Sequence, residues 1–225
     1  MGRDHLGQFM VSSALGFGRG IMLLDDCEGT FNWTVSGTGG DDVHAYATAM
    51  AFMGLNGMSL ATRTTAAAQN DLLQVVKLVG YPETGLVVSR ARIMFPNLTG
   101  AASVNFLVDA FNAVRQYRAM LSIVPATGVV SYYNSAGGMT VIPELKGLIQ
   151  AAGWATMELV VDLLAFQYVE AAWNGSRVSL AGVAMNDVAA TTYRECRIGM
   201  NIIASAAPPA TLAMDNWYVG EFLDV

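Results

Sequence analysis

Trp154-Ala155-Thr156-Met157-Glu158-Leu159-Val160-Val161-Asp162 is the stretch whose reading decides the fold. Successive side chains of a strand point to opposite faces. A strand here puts Trp154, Thr156, Glu158, Val160 and Asp162 on one side, and Ala155, Met157, Leu159 and Val161 on the other. A sheet with one face on a core and one face wet produces this alternation. A few residues on, Trp173-Asn174-Gly175 separates two further strand-like runs. Asn and Gly both tolerate positive φ, so the pair predicts a tight hairpin.

Working outward, short strand-like runs recur between clusters of Gly, Asn, Pro and Asp. Before this stretch they fall near Ile21–Leu24, Ala45–Met53, Met58–Thr64, Leu72–Val79, Leu86–Phe95, Ala102–Asn112, Gln116–Pro125, Gly128–Asn134 and Met139–Ile142. From it onward they fall near Trp154–Leu164, Phe166–Trp173, Ser176–Met185, Thr192–Ile203 and Leu212–Phe222. Pro143–Gly153 reads as a short helix, with Pro in its first turn. Thr65–Val79 reads equally as helix or strand. No repeat and no linker divides the chain. The expected organisation is an irregular arm over residues 1–20 and one all-β sandwich over 21–225.

The chain has 225 residues, of which 53% are apolar and 13% charged. An average domain carries about 25% charged residues, so the deficit points to a surface covered by neighbouring subunits. The apolar residues of the arm, Leu6, Phe9, Met10 and Phe17, suit contacts with such a partner. No apolar run approaches the roughly 18 residues of a spanning helix, so no membrane partner is expected. The first residues do not read as a signal peptide, because Asp4 and His5 interrupt the basic region. A net charge of −6 disfavours nucleic acid, which calls for a basic face. Cys27 and Cys196 are expected to be buried free thiols.

Three groups of residues carry a family resemblance. Leu24-Asp25-Asp26-Cys27-Glu28-Gly29-Thr30, followed by Trp33, opens the sandwich. Gly153-Trp154, Glu158-Leu159, Asp162 and Trp173-Asn174-Gly175 stand late in the chain, and Met214-Asp215-Asn216-Trp217-Tyr218-Val219 stands near its end. In this order they resemble the concanavalin A-like, laminin-G-like jelly-roll superfamily over about residues 21–225. The resemblance implies that the first and last strands lie side by side, bringing Asp25, Asp26 and Glu28 near Asp215. Such an oxygen-rich cluster suits a structural Ca²⁺. No other cofactor is implied.

Jelly-roll glycoside hydrolases carry E-x-D-x-E or E-x-D-x-x-E on one strand. Here Glu158 and Asp162 stand alone, four residues apart, which is roughly 13 Å along a strand. A retaining mechanism places its two carboxyls about 5–5.5 Å apart, so no catalytic residue is assigned. The histidines, His5 and His44, are too far apart in the chain to suggest a zinc site or triad. Tyr132, Tyr133 and Trp173 lie next to turns and are the expected platforms for stacking on sugars. The leading expectation is a non-enzymatic structural protein of a phage particle, such as a capsid decoration subunit, with other protein subunits as partners. The alternative is a carbohydrate-binding, lectin-like module, virion-borne or extracellular. A divergent glycoside hydrolase or lyase ranks below both.

Overall fold

The computed structural model describes residues 21–38, 40–63, 68–82, 85–147, 149–190, 194–205 and 208–221. The arm, with Leu6, Phe9, Met10 and Phe17, lies outside the described residues. The sixteen described strands form two antiparallel sheets of eight. They are β1 Ile21–Asp25, β2 Thr34–Gly37, β3 Val43–Ala47, β4 Gly57–Ala61, β5 Leu72–Val79, β6 Leu86–Met94, β7 Ala101–Phe111 and β8 Arg115–Val124, then β9 Val129–Tyr133, β10 Met139–Val141, β11 Trp154–Asp162, β12 Gln167–Trp173, β13 Ser176–Ser179, β14 Asn186–Ala189, β15 Glu195–Ala204 and β16 Thr211–Glu221.

Sheet A runs β13-β12-β11-β6-β16-β4-β3, with β1 also paired to β16. Sheet B runs β10-β9-β8-β7-β15-β5-β2, with β14 also paired to β8. This is a jelly-roll sandwich, and its first and last described strands are neighbours as the resemblance implied. Each sheet turns one row of side chains into the core. Sheet B contributes Val104, Phe106 and Val108 from β7, and Ile198, Met200 and Ile202 from β15. Sheet A contributes Val87, Ala91 and Ile93 from β6, and Met157, Leu159 and Val161 from β11. β11 obeys the alternation read from its sequence, but its outward Glu158 and Val160 are buried as well. Charged neighbours close over Glu158, and Val88, Tyr218, Leu24 and Val169 pack around Val160 on the outer face.

Two strands, β2 and β14, had no clear sequence signal, being short and largely polar. The helix expected at Pro143–Gly153 is a single 3-10 turn over Pro143–Leu145. Leu145 and Ile149 are in the core nonetheless, so the apolar spacing there reflects anchoring of a loop. Leu72–Val79 is a strand, with Leu73, Val75 and Val79 inward. Ala45–Met53 is strand only to Ala47, followed by a 3-10 turn over Thr48–Met50.

The hairpin at Asn174-Gly175 joins β12 to β13, with φ values of 49° and 87°. A Cβ on Gly175 would meet nothing within 4 Å, so only backbone strain opposes it. Gly175→Ala is expected to cost about 1 kcal/mol, seen as a lower urea midpoint with an unchanged slope. Cys27 and Cys196 are free and buried. Burial pushes the Cys196 thiol up to about 12, which keeps it protonated and inert. Among the described residues no helix is long and apolar enough to cross a membrane.

Candidate functional site

The outward rows of sheet B follow from strand register. β7 turns Asn105, Leu107 and Asp109 outward between its core residues, and β15 does the same with Arg197, Gly199 and Asn201. Ser131 pairs with Ser122, Ser122 with Asn105, Asn105 with Asn201, Asn201 with Gln74, and Gln74 with Ser36. One uncharged polar row thus crosses β9, β8, β7, β15, β5 and β2. The next row along the strands is mostly apolar: Met120 pairs with Leu107, Leu107 with Gly199, Gly199 with Val76, and Val76 with Thr34. Tyr133 continues it on β9, where it pairs with Met139 of β10.

A third row is charged, and its charges are matched. Asp109 accepts two hydrogen bonds from Arg118, from Nε and Nη2, both at 2.7 Å. This bidentate bond to Asp109 holds the Arg118 guanidinium above its ordinary pKa. Arg197 is ion-paired to Glu195, and its guanidinium lies 4.6 Å from the centre of the Phe111 ring.

Leu107 is only 1% exposed and Met120 9%, although both belong to an outward row. Towards β2 this face carries a groove of about 430 Å³ lined by Thr34, Ser36, Gln74, Val76, Leu78, Glu195 and Arg197. Of the uncharged row, Ser36 and Gln74 line this groove, whereas Asn105, Ser122 and Ser131 are buried. Ser36 makes a long contact with Gln74, at 3.4 Å. The Asn201 amide oxygen is buried with no hydrogen-bond partner among the described residues, an uncommon state that costs stability. Side chains of this kind exchange hydrogen bonds with hydroxyl groups without changing charge.

The outer face of sheet A is differently built. Glu158, 3% exposed, is held by Arg90 and by Arg177, the latter at 2.6 Å. Arg177 also bonds Glu170. A smaller groove of about 230 Å³ lies over these residues with Thr156, Ala172 and Gly175. Its acid is fully ion-paired, and Asp162 caps the next turn by accepting from the Leu164 and Ala165 N–H groups.

The structure redistributes the residues expected to form sites. Trp173 is 3% exposed in the core, and Tyr132 turns inward with its ring edge-on to Tyr168 at 5.6 Å. Neither offers a face for stacking; Trp173 ends its strand in inward register, and Tyr132 alternates with the outward Ser131 and Tyr133. Tyr133 alone of the three points outward. The acids expected to gather do lie in one region, but each is committed to a loop. Asp25 accepts from the Trp33 indole at 2.6 Å, the Tyr46 hydroxyl at 2.7 Å and the Cys27 N–H at 2.9 Å. Asp26 accepts from the Glu28 N–H. Glu28 accepts from Leu55 and Asn56 N–H groups, and Asp215 from Phe52 and Met53 N–H groups. Among the described residues no three His, Cys, Asp or Glu side chains converge as a metal site. His44 pairs locally with Asp42 at 2.9 Å.

Burial holds the Asp215 carboxyl above the ordinary carboxylate range, against the pull of the two backbone N–H groups. A carboxyl whose pKa is raised by folding binds its proton more tightly in the native state, so this group's contribution improves as pH falls through its folded pKa. Wild type is therefore expected to gain stability relative to Asp215→Asn as pH is lowered from 7 towards 4. Urea titrations of both proteins across that range check the sign.

No model of a known protein family matches the chain, and no curated protein matches it. Solved structures do. A cellulose-induced protein superposes with a TM-score of 0.55 at 15% identity, over 88% of this chain and 96% of the other. A carbohydrate esterase from the Shiga toxin-encoding bacteriophage phi24B gives 0.57 at 12% identity, over 85% and 91%. An alginate lyase from Chlorella virus gives 0.50 at 10% identity, over 84% and 93%. These likenesses show the fold.

Proposed function

We propose that the chain is a non-enzymatic carbohydrate-binding protein and that the outer face of sheet B is its binding surface. The observation that carries this reading is the groove towards β2, where the uncharged Thr34, Ser36 and Gln74 stand beside the apolar Val76 and Leu78. Sugars present hydroxyls at their edges and C–H groups on their faces. Orientation by a few polar groups on an otherwise apolar recess is the general pattern of small-molecule sites. The cellulose-induced protein, the phage carbohydrate esterase and the viral alginate lyase share this fold, which supports the reading. The acids of this face argue for binding without turnover. Asp109 is locked by Arg118 and Glu195 is paired with Arg197, whereas glycoside hydrolysis uses two working carboxyls.

A second reading, a structural subunit of a viral particle, is favoured by apolar side chains at the rims. Val114 is 69% exposed and Val188 49%, close together where β14 pairs with β8, and Met139 and Val141 project from edge strand β10. Edge residues of this kind suit contacts between subunits. The two readings are compatible, since a virion surface protein can bind glycans.

A glycan array with the purified chain tests the first reading, with Gln74→Leu on sheet B and Thr156→Leu on sheet A compared against wild type. Binding is expected for wild type and Thr156→Leu, and loss for Gln74→Leu. Absence of binding to every glycan, by a folded protein, overturns it. Light scattering coupled to size exclusion tests the second, which falls if the chain is monomeric at all concentrations.

A further inference from the structure

We infer that the groove towards β2 takes a neutral disaccharide of an N-acetylated amino sugar lying along β5, with an acetamido group held by Val76 and Gln74 and the second ring on Leu78. The inference rests on the carbohydrate-binding reading and names its sugar class.

Direction comes from the lining. Gln74, Val76 and Leu78 follow one another on the outward face of β5, because Leu73, Val75 and Val79 face the core. On β2, Ser36 pairs with Gln74 and Thr34 with Val76; on β15, Arg197 pairs with Leu78. Gln74 and Leu78 are four residues apart, about 14 Å along the strand, which is room for two sugar rings end to end. The groove holds about 430 Å³, towards the lower end of the roughly 300–1,000 Å³ of small-molecule sites. Its lining is accessible: Leu78 is 61% exposed, Thr34 and Ser36 are exposed, and Gln74 and Val76 are half-buried.

The acetamido group is selected by two neighbouring side chains of different kinds. Val76 presents methyl groups, and a ligand methyl set against them leaves water, which is favourable. Gln74 stands one outward position along. Its amide offers an acceptor oxygen and two donor hydrogens, the complement of an acetamido N–H and C=O. Its Oε1 takes only a long bond from Ser36, at 3.4 Å, and its amide nitrogen has no partner among the described residues. A 6-deoxy sugar would supply a methyl group but leave the Gln74 amide without its counterpart.

Charge selects a neutral sugar. The ionisable residues that line the groove are Glu195 and Arg197. They are paired with each other, and the Arg197 guanidinium also lies over the Phe111 ring. An acidic sugar calls for an unmatched cation, and the lining supplies none. A free amino sugar would set its ammonium against Val76, where it loses hydration without gaining an unmatched carboxylate. Acetylation removes that charge and adds the methyl.

Gln74 and Leu78 then act in separable ways. Leu78 meets the C–H face of a ring, a contact that any pyranose makes. Gln74 meets the acetamido group, a contact that only the acetylated sugar makes. Gln74→Glu keeps the shape and the acceptor but replaces the donor nitrogen with an oxygen. That oxygen repels an acetamido carbonyl and still accepts from a hydroxyl, so the variant changes preference as well as affinity. Sites built to hydrogen-bond one ligand group discriminate strongly against ligands that lack it.

Isothermal titration with three disaccharides of the same backbone and linkage tests this: N,N′-diacetylchitobiose, its deacetylated form, and cellobiose. The diacetylated sugar is expected to bind about tenfold more tightly than either of the others. Gln74→Glu is expected to lose that preference, by weakening diacetylchitobiose about tenfold and leaving cellobiose unchanged. Leu78→Ser is expected to weaken diacetylchitobiose and cellobiose by the same factor. Both positions are open to solvent, so thermal melts of the variants are expected to match wild type. Equal wild-type affinity for diacetylchitobiose and cellobiose, or tighter binding of the deacetylated form, overturns the inference and leaves carbohydrate binding in place. So does a glycan array that is positive for other sugars while none of these three binds. A Gln74→Glu protein that keeps the preference overturns it as well. Binding of no saccharide at all overturns both this inference and the reading beneath it.

Discussion

Trp217→Ala is expected to destabilise the protein by about 3–5 kcal/mol, a large part of the roughly 5–15 kcal/mol that holds a typical domain folded. Trp217 is 1% exposed and belongs to the last strand, β16. Its ring lies 4.7 Å from that of Trp33 and 4.9 Å from that of Phe106. Through these contacts it joins the opening segment, the closing strand and the centre of sheet B. Its indole N–H donates to the Ser89 hydroxyl at 3.0 Å, inside sheet A. Alanine leaves a cavity between the sheets and an unmatched Ser89. Trp217→Phe keeps most of the volume and isolates the lost hydrogen bond, so a loss of about 1–2 kcal/mol is expected. Urea unfolding followed by circular dichroism measures both. A Trp217→Ala midpoint within error of wild type would contradict this account of the core.

Asp25→Ala is expected to cost about 3 kcal/mol, and Asp25→Asn nearly as much. The carboxylate ends β1 and gathers three donors: the Trp33 indole, the Tyr46 hydroxyl and the Cys27 N–H. Alanine strands the Trp33 N–H, which has little access to water. Asparagine has one acceptor oxygen, and either placement of its amide turns an N–H group towards at least one donor. Burial and the bond to Asp25 push the Tyr46 phenol up, so Tyr46 stays a donor across the working pH range. Adding Trp33→Phe completes a double-mutant cycle. A coupling energy of about 1–2 kcal/mol is expected between positions 25 and 33, and additivity would show that the bond contributes nothing. If Asp25 instead served chiefly as a calcium ligand, the cost of Asp25→Ala would vanish in chelator.

These two residues also show what could be read in advance. Asp25, Trp33 and Trp217 stood out as parts of an acidic, aromatic opening and a closing Asp-Asn strand, and the sandwich brings them together. The acids looked like a cation site because their number and type fit one. Their use as acceptors for Trp33, Tyr46 and the loops depends on partners distant in sequence. Trp217 could not have been assigned inward from alternation. Met214 faces the core, so strict period 2 would turn Asn216 and Tyr218 inward. A bulge between Asp215 and Tyr218, with Asn216 at a φ of 53°, reverses the parity and buries Trp217.

Alternation within each strand and the hairpin at Asn174-Gly175 were determined by the sequence alone, because they depend on neighbours one or two residues apart; the adjacency of the first and last strands was implied by the family resemblance. That was enough for a jelly-roll sandwich. The candidate binding face was decided only by the tertiary structure. Ser36, Gln74, Asn105, Ser122, Ser131 and Asn201 are unremarkable polar residues on separate strands. Register between strands, set by how both sheets fill one core, places them in a single row. The same packing took Trp173 and Tyr132 into that core and left Tyr133 at the edge of the row.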